Sequence, residues 1–271
     1  MELSAATWTD AAAVETDLAV LPVGSTEQHG PHAPLGTDAL AAETVAEAGA
    51  EAYDGEVVVA PTVPVGVAEE HRHFAGTLWV SPDTFRDYVG ETVAALASHG
   101  WDRVVVVNGH GGNVDALREL CARHSRDGDV YTVPFTWFDA VSLDPSRMRA
   151  DDGDDVPPPP VDLAEIAMGH AGSVETSLVR AVAPDLVRED RFEAAAADAA
   201  DGWGEWVAGV NLAYDSAEFS ENGTVGDPTK SDPALGEWLR DRAAERLADL
   251  LDRVATRDRT PPERPDGRPS G

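Results

Sequence analysis

Four short runs of apolar, largely β-branched residues mark the first half of the chain. They span residues 18–23, 56–63, 103–107 and 130–135. Segments with apolar residues at helical spacing lie between them, over 38–51, 83–98 and 114–126. Strands that alternate with helices of this size predict βαβ units and a parallel sheet covered by helices. The pattern therefore predicts an α/β fold with a mostly parallel sheet.

The second half of the chain predicts further helices and one polar interruption. Helical patterns cover 192–200, which is rich in alanine, and 233–256. Acidic residues and prolines fill 148–161, which is typical of a solvated loop. We expect one domain over 1–257 with this loop as an insertion, followed by a disordered tail over 258–271.

Charge and composition restrict the class of protein. The chain has 271 residues, 50 acidic against 20 basic, for a formal net charge of −30, with one lysine. So acidic a surface argues against nucleic acid as a partner. It fits a cytoplasm of molar salt, where a Debye length of about 3 Å weakens repulsion between carboxylates. The sequence shows no export signal and no membrane-spanning run, and its single cysteine excludes an internal disulfide, so we expect a cytoplasmic protein.

The loop after the first strand carries a candidate metal site. Glu27 and His29 are two residues apart, so in an extended segment they point to one side, and Asp38 follows at the start of a helix. Such loops lie at the carboxyl edge of a parallel sheet, where ligands bind. Carboxylates and imidazole suit Zn²⁺, Mn²⁺ or Fe²⁺. A polar loop with incidental carboxylates is the alternative interpretation.

Two more loops carry imidazoles. The strand at 103–107 runs into Asn108 and His110 within a glycine-rich loop. A phosphate-binding loop is the alternative there, but the lysine and hydroxyl that end a P-loop are missing. Further along, His170 precedes a predicted helix and Glu175 lies at its start. The alternative interpretation of Glu175 is a charge that complements the helix dipole. A dense ionisable segment also contains Glu70, His71 and Arg72, which either line a substrate pocket or form a solvated loop.

These segments, taken in order along the chain, resemble the creatininase family of amidohydrolases. The resemblance rests on Gly24-Ser-Thr-Glu27-Gln-His29-Gly-Pro-His32 with Gly36-Thr-Asp38, on Glu70-His71 with Phe74-Ala-Gly76-Thr77, on Asn108-Gly-His110-Gly-Gly-Asn113, and on His170-Ala-Gly with Glu175-Thr176. A weaker match is Gly226-Asp-Pro-Thr229.

The resemblance implies a three-layer α/β/α domain with two divalent metal ions, Zn²⁺, Fe²⁺ or Mn²⁺. Asp38 would be shared by both ions, Glu27 and His110 would complete one, and His29 and Glu175 the other. Water activated by the metals would cleave a C–N amide bond. The candidate catalytic residues are His170, which would pass a proton to the leaving nitrogen, and Glu175. The family also implies a small-molecule substrate and a homo-oligomer, often a hexamer.

Two departures from the family pattern point away from creatinine as substrate. Creatininases carry a glutamate where this chain has Gly112 and a tryptophan where it has Ile166. Gly112 looks more like the archaeal branch that deformylates a formamidopyrimidine ribonucleotide, 2-amino-5-formylamino-6-ribosylaminopyrimidin-4(3H)-one 5′-phosphate, on the way to riboflavin and deazaflavin. A third branch acts on peptide precursors of redox cofactors. The candidate substrate-binding residues are Glu70, His71, Arg72 and Asn108.

Two functions of other kinds remain open from the sequence. A homologue that has lost catalysis could serve as a scaffold, but the five predicted ligands are present. A two-metal phosphoesterase would need a cation to hold phosphate, and Arg72 is the only arginine near the motifs. For a phosphorylated substrate that is hydrolysed elsewhere on its own molecule, Arg72 and Arg103 are the candidate contacts.

Overall fold

The computed structural model describes residues 1–127, 130–141, 143, 158–162 and 166–259. The predicted insertion at 148–161 is described only from residue 158 onward. The tail predicted to be disordered is described only as far as residue 259. Both predictions therefore lie largely outside the described residues.

A four-stranded parallel sheet forms the centre of the protein, as the apolar runs predict. Its strands are β1 (Leu18–Val23), β2 (Val58–Val59), β3 (Arg103–Asn108) and β4 (Tyr131–Thr136). Their order across the sheet is β2-β1-β3-β4, and every neighbouring pair is parallel. A separate antiparallel hairpin consists of β5 (Trp206–Val207) and β6 (Val210–Asn211).

Helices follow the strands at nearly the predicted positions. They are α1 (Trp8–Ala11), α2 (Thr37–Ala52), α3 (Pro82–Ser98), α4 (Val114–Asp127), α5 (Trp137–Ala140), α6 (Ser173–Val182), α7 (Phe192–Ala197) and α8 (Pro233–Ala255). No helix in the described part of the chain is long and apolar enough to cross a membrane.

Alternate residues along the strands pack into two separate hydrophobic cores. Val105 and Val107 face the core made with α2, α6 and α8. Val104 and Val106 face the opposite core, made with α3 and α4. Successive side chains of a strand point to opposite faces of a sheet, so a continuous valine run serves both layers. The result is the three-layer α/β/α arrangement.

The second strand is shorter than its apolar run. The sequence predicts a strand over 56–63, whereas β2 covers two residues and pairing continues only through an isolated bridge from Val63 to β1. Pro61 lies in the gap and has no N–H for the ladder. An edge position tolerates that interruption.

Two glycines bring the start of α2 against the sheet. A Cβ atom on Gly24 would lie 2.4 Å from the backbone nitrogen of Ala39, and one on Gly109 would lie 2.1 Å from the carbonyl oxygen of Asp38. Only glycine allows the helix to approach the ends of β1 and β3 this closely. The close approach sets Asp38 beside the residues that follow both strands.

Candidate metal centre

Four elements deliver the predicted ligands to the carboxyl edge of the sheet. Glu27 and His29 follow β1, Asp38 lies in the first turn of α2, His110 follows β3, and Glu175 lies in the first turn of α6. All but Glu175 are nearly or fully buried, and the Glu175 side chain is 11% exposed. The crevice at the carboxyl ends of parallel strands is where α/β proteins bind ligands.

Asp38 lies between two groups of side chains. One carboxylate oxygen, Oδ2, is 3.2 Å from His110 Nδ1, which is in turn 3.1 Å from Glu27 Oε2. The other oxygen, Oδ1, is 3.2 Å from His29 Nε2, which is 3.6 Å from Glu175 Oε2. The five residues thus form two adjacent sets that share Asp38.

Three imidazoles of the cluster are held by the same kind of contact. Each places a ring nitrogen against a backbone carbonyl oxygen: His29 Nδ1 at Glu27 (3.2 Å), His110 Nε2 at Val67 (2.7 Å) and His170 Nε2 at Gln28 (2.7 Å). A carbonyl oxygen only accepts, so that nitrogen carries the proton and the other nitrogen offers a lone pair to the cluster. An imidazole that donates to a carbonyl and turns its lone pair inward is the usual arrangement of a metal ligand.

The carboxylates also fit a metal ion. Both oxygens of Glu27 and one oxygen of Asp38 are buried without a hydrogen-bond donor, and so is His29 Nε2. Buried polar atoms are nearly always satisfied, so a group of unsatisfied ones needs a partner of positive charge. Ligand atoms of Glu27, Asp38 and His110 lie within 4.8 Å of one another, as do those of His29, His170 and Glu175. The donor set suits a borderline divalent cation.

The electrostatics of the cluster favour the binding of positive charge, either as protons or as metal ions. Burial raises the pKa of Glu27 to about 7 against the attraction of His110, and burial raises the pKa of Glu175 to about 6. Burial opposes a charge on His29, but Asp38, Glu175 and Glu27 outweigh it and raise its pKa to about 10. Protons and a divalent metal therefore compete for the same nitrogen and oxygen atoms.

His170 is fixed by the backbone around it. Its peptide group exchanges two hydrogen bonds with Val225, of 3.0 and 2.8 Å. Ala171 follows with a φ of 54°, a conformation that costs a non-glycine residue free energy and marks functional sites. This conformation aims the Ala171 N–H at Glu175 Oε2, 2.6 Å away. Burial, with His29 and His71 nearby, lowers the pKa of His170 well below its usual value.

A cavity of about 350 Å³ opens above the cluster. Its floor contains the ligand residues Glu27, Asp38, His110 and Glu175. The rest of its lining within the described chain is made by Glu70, His71, Gly111, Gly112, Phe138, Met168, Gly169, His170 and Trp203. Its size lies near the lower end of the roughly 300–1,000 Å³ of small-molecule sites. The cavity gives substrate access to the ligand cluster from one side.

The candidate substrate-binding residues divide into two groups. Glu70 and His71 line the cavity. Arg72 instead pairs with Asp215 at 2.7 Å, outside the lining. Asn108 is buried behind His110, whose backbone nitrogen and oxygen it binds. Asn108 therefore shapes the loop that presents His110.

Arg103 cannot contact a substrate phosphate at this site, contrary to the sequence expectation. It begins β3, whereas the cluster follows the end of that strand. Its guanidinium is held by Asp17 and by carbonyl oxygens of Val254 and Arg257. The amino edge of the sheet lies about 17 Å from the carboxyl edge over a strand of this length.

Trp203 lines the cavity, although no motif in the sequence marks it. It stands edge-on to His71 and His170, with ring centroids 5.6 and 6.0 Å away. Ile166, where creatininases carry tryptophan, packs against the core and is not among the described lining residues. An aromatic wall is thus present but comes from the segment before β5, which no motif marks.

Comparison with known proteins gives a consistent family assignment. A sequence model of the creatininase family, described as creatinine amidohydrolase, matches residues 4–251. A mycofactocin precursor peptide peptidase of Mycolicibacterium smegmatis is 34% identical over 242 residues, covering 87% of this chain and 85% of that protein. The creatinine amidohydrolase of Pseudomonas putida is 32% identical over 185 residues, covering 64% of this chain and 66% of that protein.

Solved structures agree with the sequence comparison. A manganese form of creatininase superimposes with a TM-score of 0.69 at 26% identity, covering 94% of this chain and 99% of that one.

Proposed function

The chain belongs to the creatininase family, and from that membership we propose that it hydrolyses an amide bond in a peptide substrate. The coarser activity follows from the family: the protein is a metal-dependent amidohydrolase that acts on C–N bonds. A substrate panel tests whether the hydrolysed bond lies in a peptide.

Two divalent metal ions are the cofactors of this activity. A creatininase of known structure carries manganese, and the buried, unsatisfied oxygens of Glu27 and Asp38 fit such ions here. In our proposal Glu27 and His110 hold one ion, His29 and Glu175 hold the other, and Asp38 is shared. The bound ions supply a Lewis acid for the amide carbonyl and lower the pKa of water.

His170 supplies proton transfer in this proposal. Its Nε2 donates to the Gln28 carbonyl, so the lone pair of Nδ1 faces the cluster, 3.7 Å from Glu27 Oε1. The lowered pKa keeps the ring neutral at pH 7, ready to take a proton at Nδ1. Once protonated, the ring is a strong acid and gives the proton to the leaving nitrogen. Glu175 anchors this geometry because it accepts from the Ala171 N–H beside His170.

The lining of the cavity supports a peptide as the substrate. Its lining combines the apolar side chains of Phe138, Met168 and Trp203 with the carboxylates and histidines of the metal cluster. An extended substrate can lay its scissile bond against the carboxylates and histidines while an apolar side chain contacts the apolar lining. One relative, whose match covers 87% of this chain, is named a mycofactocin precursor peptide peptidase, and that name supports the same substrate class.

A formamide deformylase acting on the formamidopyrimidine ribonucleotide is the second proposal. Gly112, in place of the creatininase glutamate, favours it. A phosphorylated substrate also needs a cation, and no arginine or lysine is found among the described residues that line the cavity. We therefore rank the peptide substrate first.

A substrate panel tests the proposal. Protein loaded with Zn²⁺ or Mn²⁺ in molar KCl is incubated with short peptides of varied carboxyl-terminal residues, with the formamidopyrimidine nucleotide and with creatinine. We expect cleavage of peptides with an apolar residue beside the scissile bond, detected by mass spectrometry as two fragments. Formate from the nucleotide alone would establish the second proposal, and creatine from creatinine would overturn both.

Asp38→Asn is the matched control for the panel. It keeps the side-chain volume but removes the charge that both sets of ligands share, 3.2 Å from His29 and from His110. We expect at least one metal ion to be lost and turnover of every substrate to fall at least 100-fold, measured by metal analysis and initial rates. A variant that retained two ions per chain would contradict the assignment of Asp38.

A further inference from the structure

The fourth histidine of the cluster, His71, is held differently from the other three. Its Nδ1 contacts two side chains, Gln28 Nε2 at 2.8 Å and Ser216 Oγ at 3.0 Å. Its Nε2 lies 3.3 Å from Glu27 Oε1. Neither nitrogen contacts a backbone carbonyl. The Ser216 hydroxyl, which also lies 3.0 Å from the Glu70 carbonyl oxygen, can donate or accept, so the position of the ring proton depends on the orientation of the Gln28 amide.

Backbone groups fix the orientation of the Gln28 amide. Its oxygen accepts from the Gly30 N–H at 2.9 Å, and its nitrogen donates to the Gly223 carbonyl at 3.0 Å. An N–H only donates and a carbonyl only accepts, so the reversed amide would lose both hydrogen bonds. The second N–H of the amide therefore points at His71 Nδ1.

The tautomer of His71 follows from this contact. The Gln28 NH₂ group can only donate, so Nδ1 must accept and the ring proton resides on Nε2. That N–H faces Glu27 Oε1. At 3.3 Å the contact is longer than an ordinary hydrogen bond, so the N–H attracts the carboxylate oxygen electrostatically.

We infer that Gln28 and His71 form a positioning pair that holds Glu27 Oε1 and leaves Glu27 Oε2 for the metal. Oε2 is the oxygen beside His110 Nδ1, at 3.1 Å. The pair gives the two oxygens of one buried carboxylate different roles. Hydrogen bonds that orient a ligand typically change metal affinity about 10- to 100-fold.

The proton on Nε2 excludes His71 as a metal ligand. Nitrogen and oxygen atoms of Glu27, His71 and His170 lie within 4.8 Å of one another, so distance alone permits a third ion. A nitrogen that carries a proton has no lone pair for a metal. The Gln28 amide thus keeps this third group of side chains free of metal while the neighbouring groups bind it.

The packing around His71 supports a fixed ring. Its plane stacks on His170 at a centroid distance of 4.3 Å and an interplanar angle of 22°. Trp203 closes one edge. The ring is 1% exposed, so solvent does not compete for Nε2. A ring held this firmly can orient a carboxylate.

Nuclear magnetic resonance of the imidazole nitrogens tests the tautomer directly. Protein with ¹⁵N-labelled histidine is loaded with Zn²⁺, and the His71 signals are identified by their loss in His71→Phe. We expect a protonated-type shift for Nε2 and an unprotonated-type shift for Nδ1. The reverse pattern, or a Zn²⁺-induced ligand shift at Nε2, would overturn the inference.

Metal affinity tests the positioning role. In His71→Phe we expect two ions per chain, bound about 10- to 100-fold more weakly in chelator competition, with a lower kcat and a nearly unchanged KM. His73→Phe is the matched control, since His73 is half-exposed, pairs with Asp215 and does not line the cavity. Loss of one ion in His71→Phe would make His71 a ligand, and unchanged affinity would remove its role.

Gln28→Glu tests the same tautomer without requiring the His71→Phe variant to fold. It replaces the donor that faces Nδ1 with an acceptor at constant volume, so we expect the Nδ1 signal to move to the protonated type. An unmoved signal would contradict the assignment of the amide. The inference rests on the metal centre proposed above, but these readouts use no substrate, so a wrong substrate leaves them intact.

Discussion

Gly112 leaves room for a carboxylate that comes from another loop. A Cβ atom at this position would lie 2.8 Å from Glu70 Oε1, 2.5 Å from His110 Nε2 and 2.1 Å from the Val67 carbonyl oxygen. Any side chain here would displace Glu70 or break the hydrogen bond that orients His110. Glu70 therefore occupies the space beside the residue where creatininases carry a glutamate, and its pKa is raised by burial.

We expect Gly112→Ala to weaken metal binding at least 10-fold. The methyl group would push against the Val67 carbonyl and so turn the His110 ring, whose Nε2–H donates to that carbonyl. Chelator competition measures the change. Gly111→Ala is the neighbouring control, because nothing lies within 4 Å of a Cβ there, and it should bind metal as the unmodified protein does. Equal affinities for the two variants would contradict the role given to Gly112.

At the level of elements, the sequence predicted the main strands and helices closely. β1 has the predicted bounds, β3 and β4 differ by one residue at one or both ends, and α2, α3 and α4 differ by one residue at most at either end. Apolar periodicity is a local property, so it survives without knowledge of the fold. The start of α3 is capped by Ser81, whose hydroxyl accepts from the Thr84 N–H. Thr37 is the first residue of α2, and its hydroxyl donates to the Pro34 carbonyl.

The docking of α2 on the sheet gives a prediction at this scale. Gly109→Ala places a methyl group against the Asp38 carbonyl, a backbone atom that cannot move without moving the helix. We expect a loss of about 1–3 kcal/mol in the free energy of unfolding together with at least a 10-fold loss of metal affinity. Urea unfolding of the metal-free protein and chelator competition measure the two effects.

Gly49→Ala is the control at the other end of the same helix. Its Cβ would meet Leu247 of α8 at 2.5 Å, far along α2 from Asp38. We expect a similar loss of stability with metal affinity unchanged. If both variants lost metal equally, general destabilisation rather than the position of Asp38 would explain the loss.

Charge affects the whole molecule in two ways, through the net charge of the chain and through the close contacts of the metal cluster. Over long range, the net charge of −30 supports the expectation of a cytoplasm with molar salt. That expectation stays a prediction, and so does the expected homo-oligomer. At short range, charged side chains meet in the buried metal cluster. There, carboxylates within 3.6 Å raise the pKa of His29 to about 10.

This shift predicts how stability depends on pH when metal is removed. A histidine whose pKa is raised by folding stabilises the folded state below its unfolded pKa, near 6.5, and the contribution is lost as pH rises towards 10. His110 shifts in the same direction. The histidines with lowered pKa, His71 and His170, are neutral in both states above pH 7. We therefore expect the Tm of chelator-treated protein to fall between pH 7 and pH 9.

Thermal unfolding in molar KCl, with and without Zn²⁺, measures this effect. Added Zn²⁺ should raise the Tm more at pH 8 than at pH 6, because the ion must displace protons from its ligands. Asp38→Asn removes the largest charge that raises the pKa of His29 and should flatten the pH dependence. A Tm of the metal-free protein that stayed constant or rose from pH 7 to pH 9 would contradict the prediction.

The sequence by itself predicted the parallel sheet and its helices, and the family resemblance predicted the four residues that the structure gathers around Asp38, because strand periodicity and short motifs are local. Tertiary structure alone decided which nitrogen of each histidine faces the cluster. The tautomer of His71, for example, depends on a hydrogen bond between Gln28 and Gly223, 195 residues apart. It also brought Trp203 to the cavity, turned Arg72 towards Asp215 and put Arg103 at the far edge of the sheet. Side-chain direction is set by contacts between distant loops, and no local pattern encodes it.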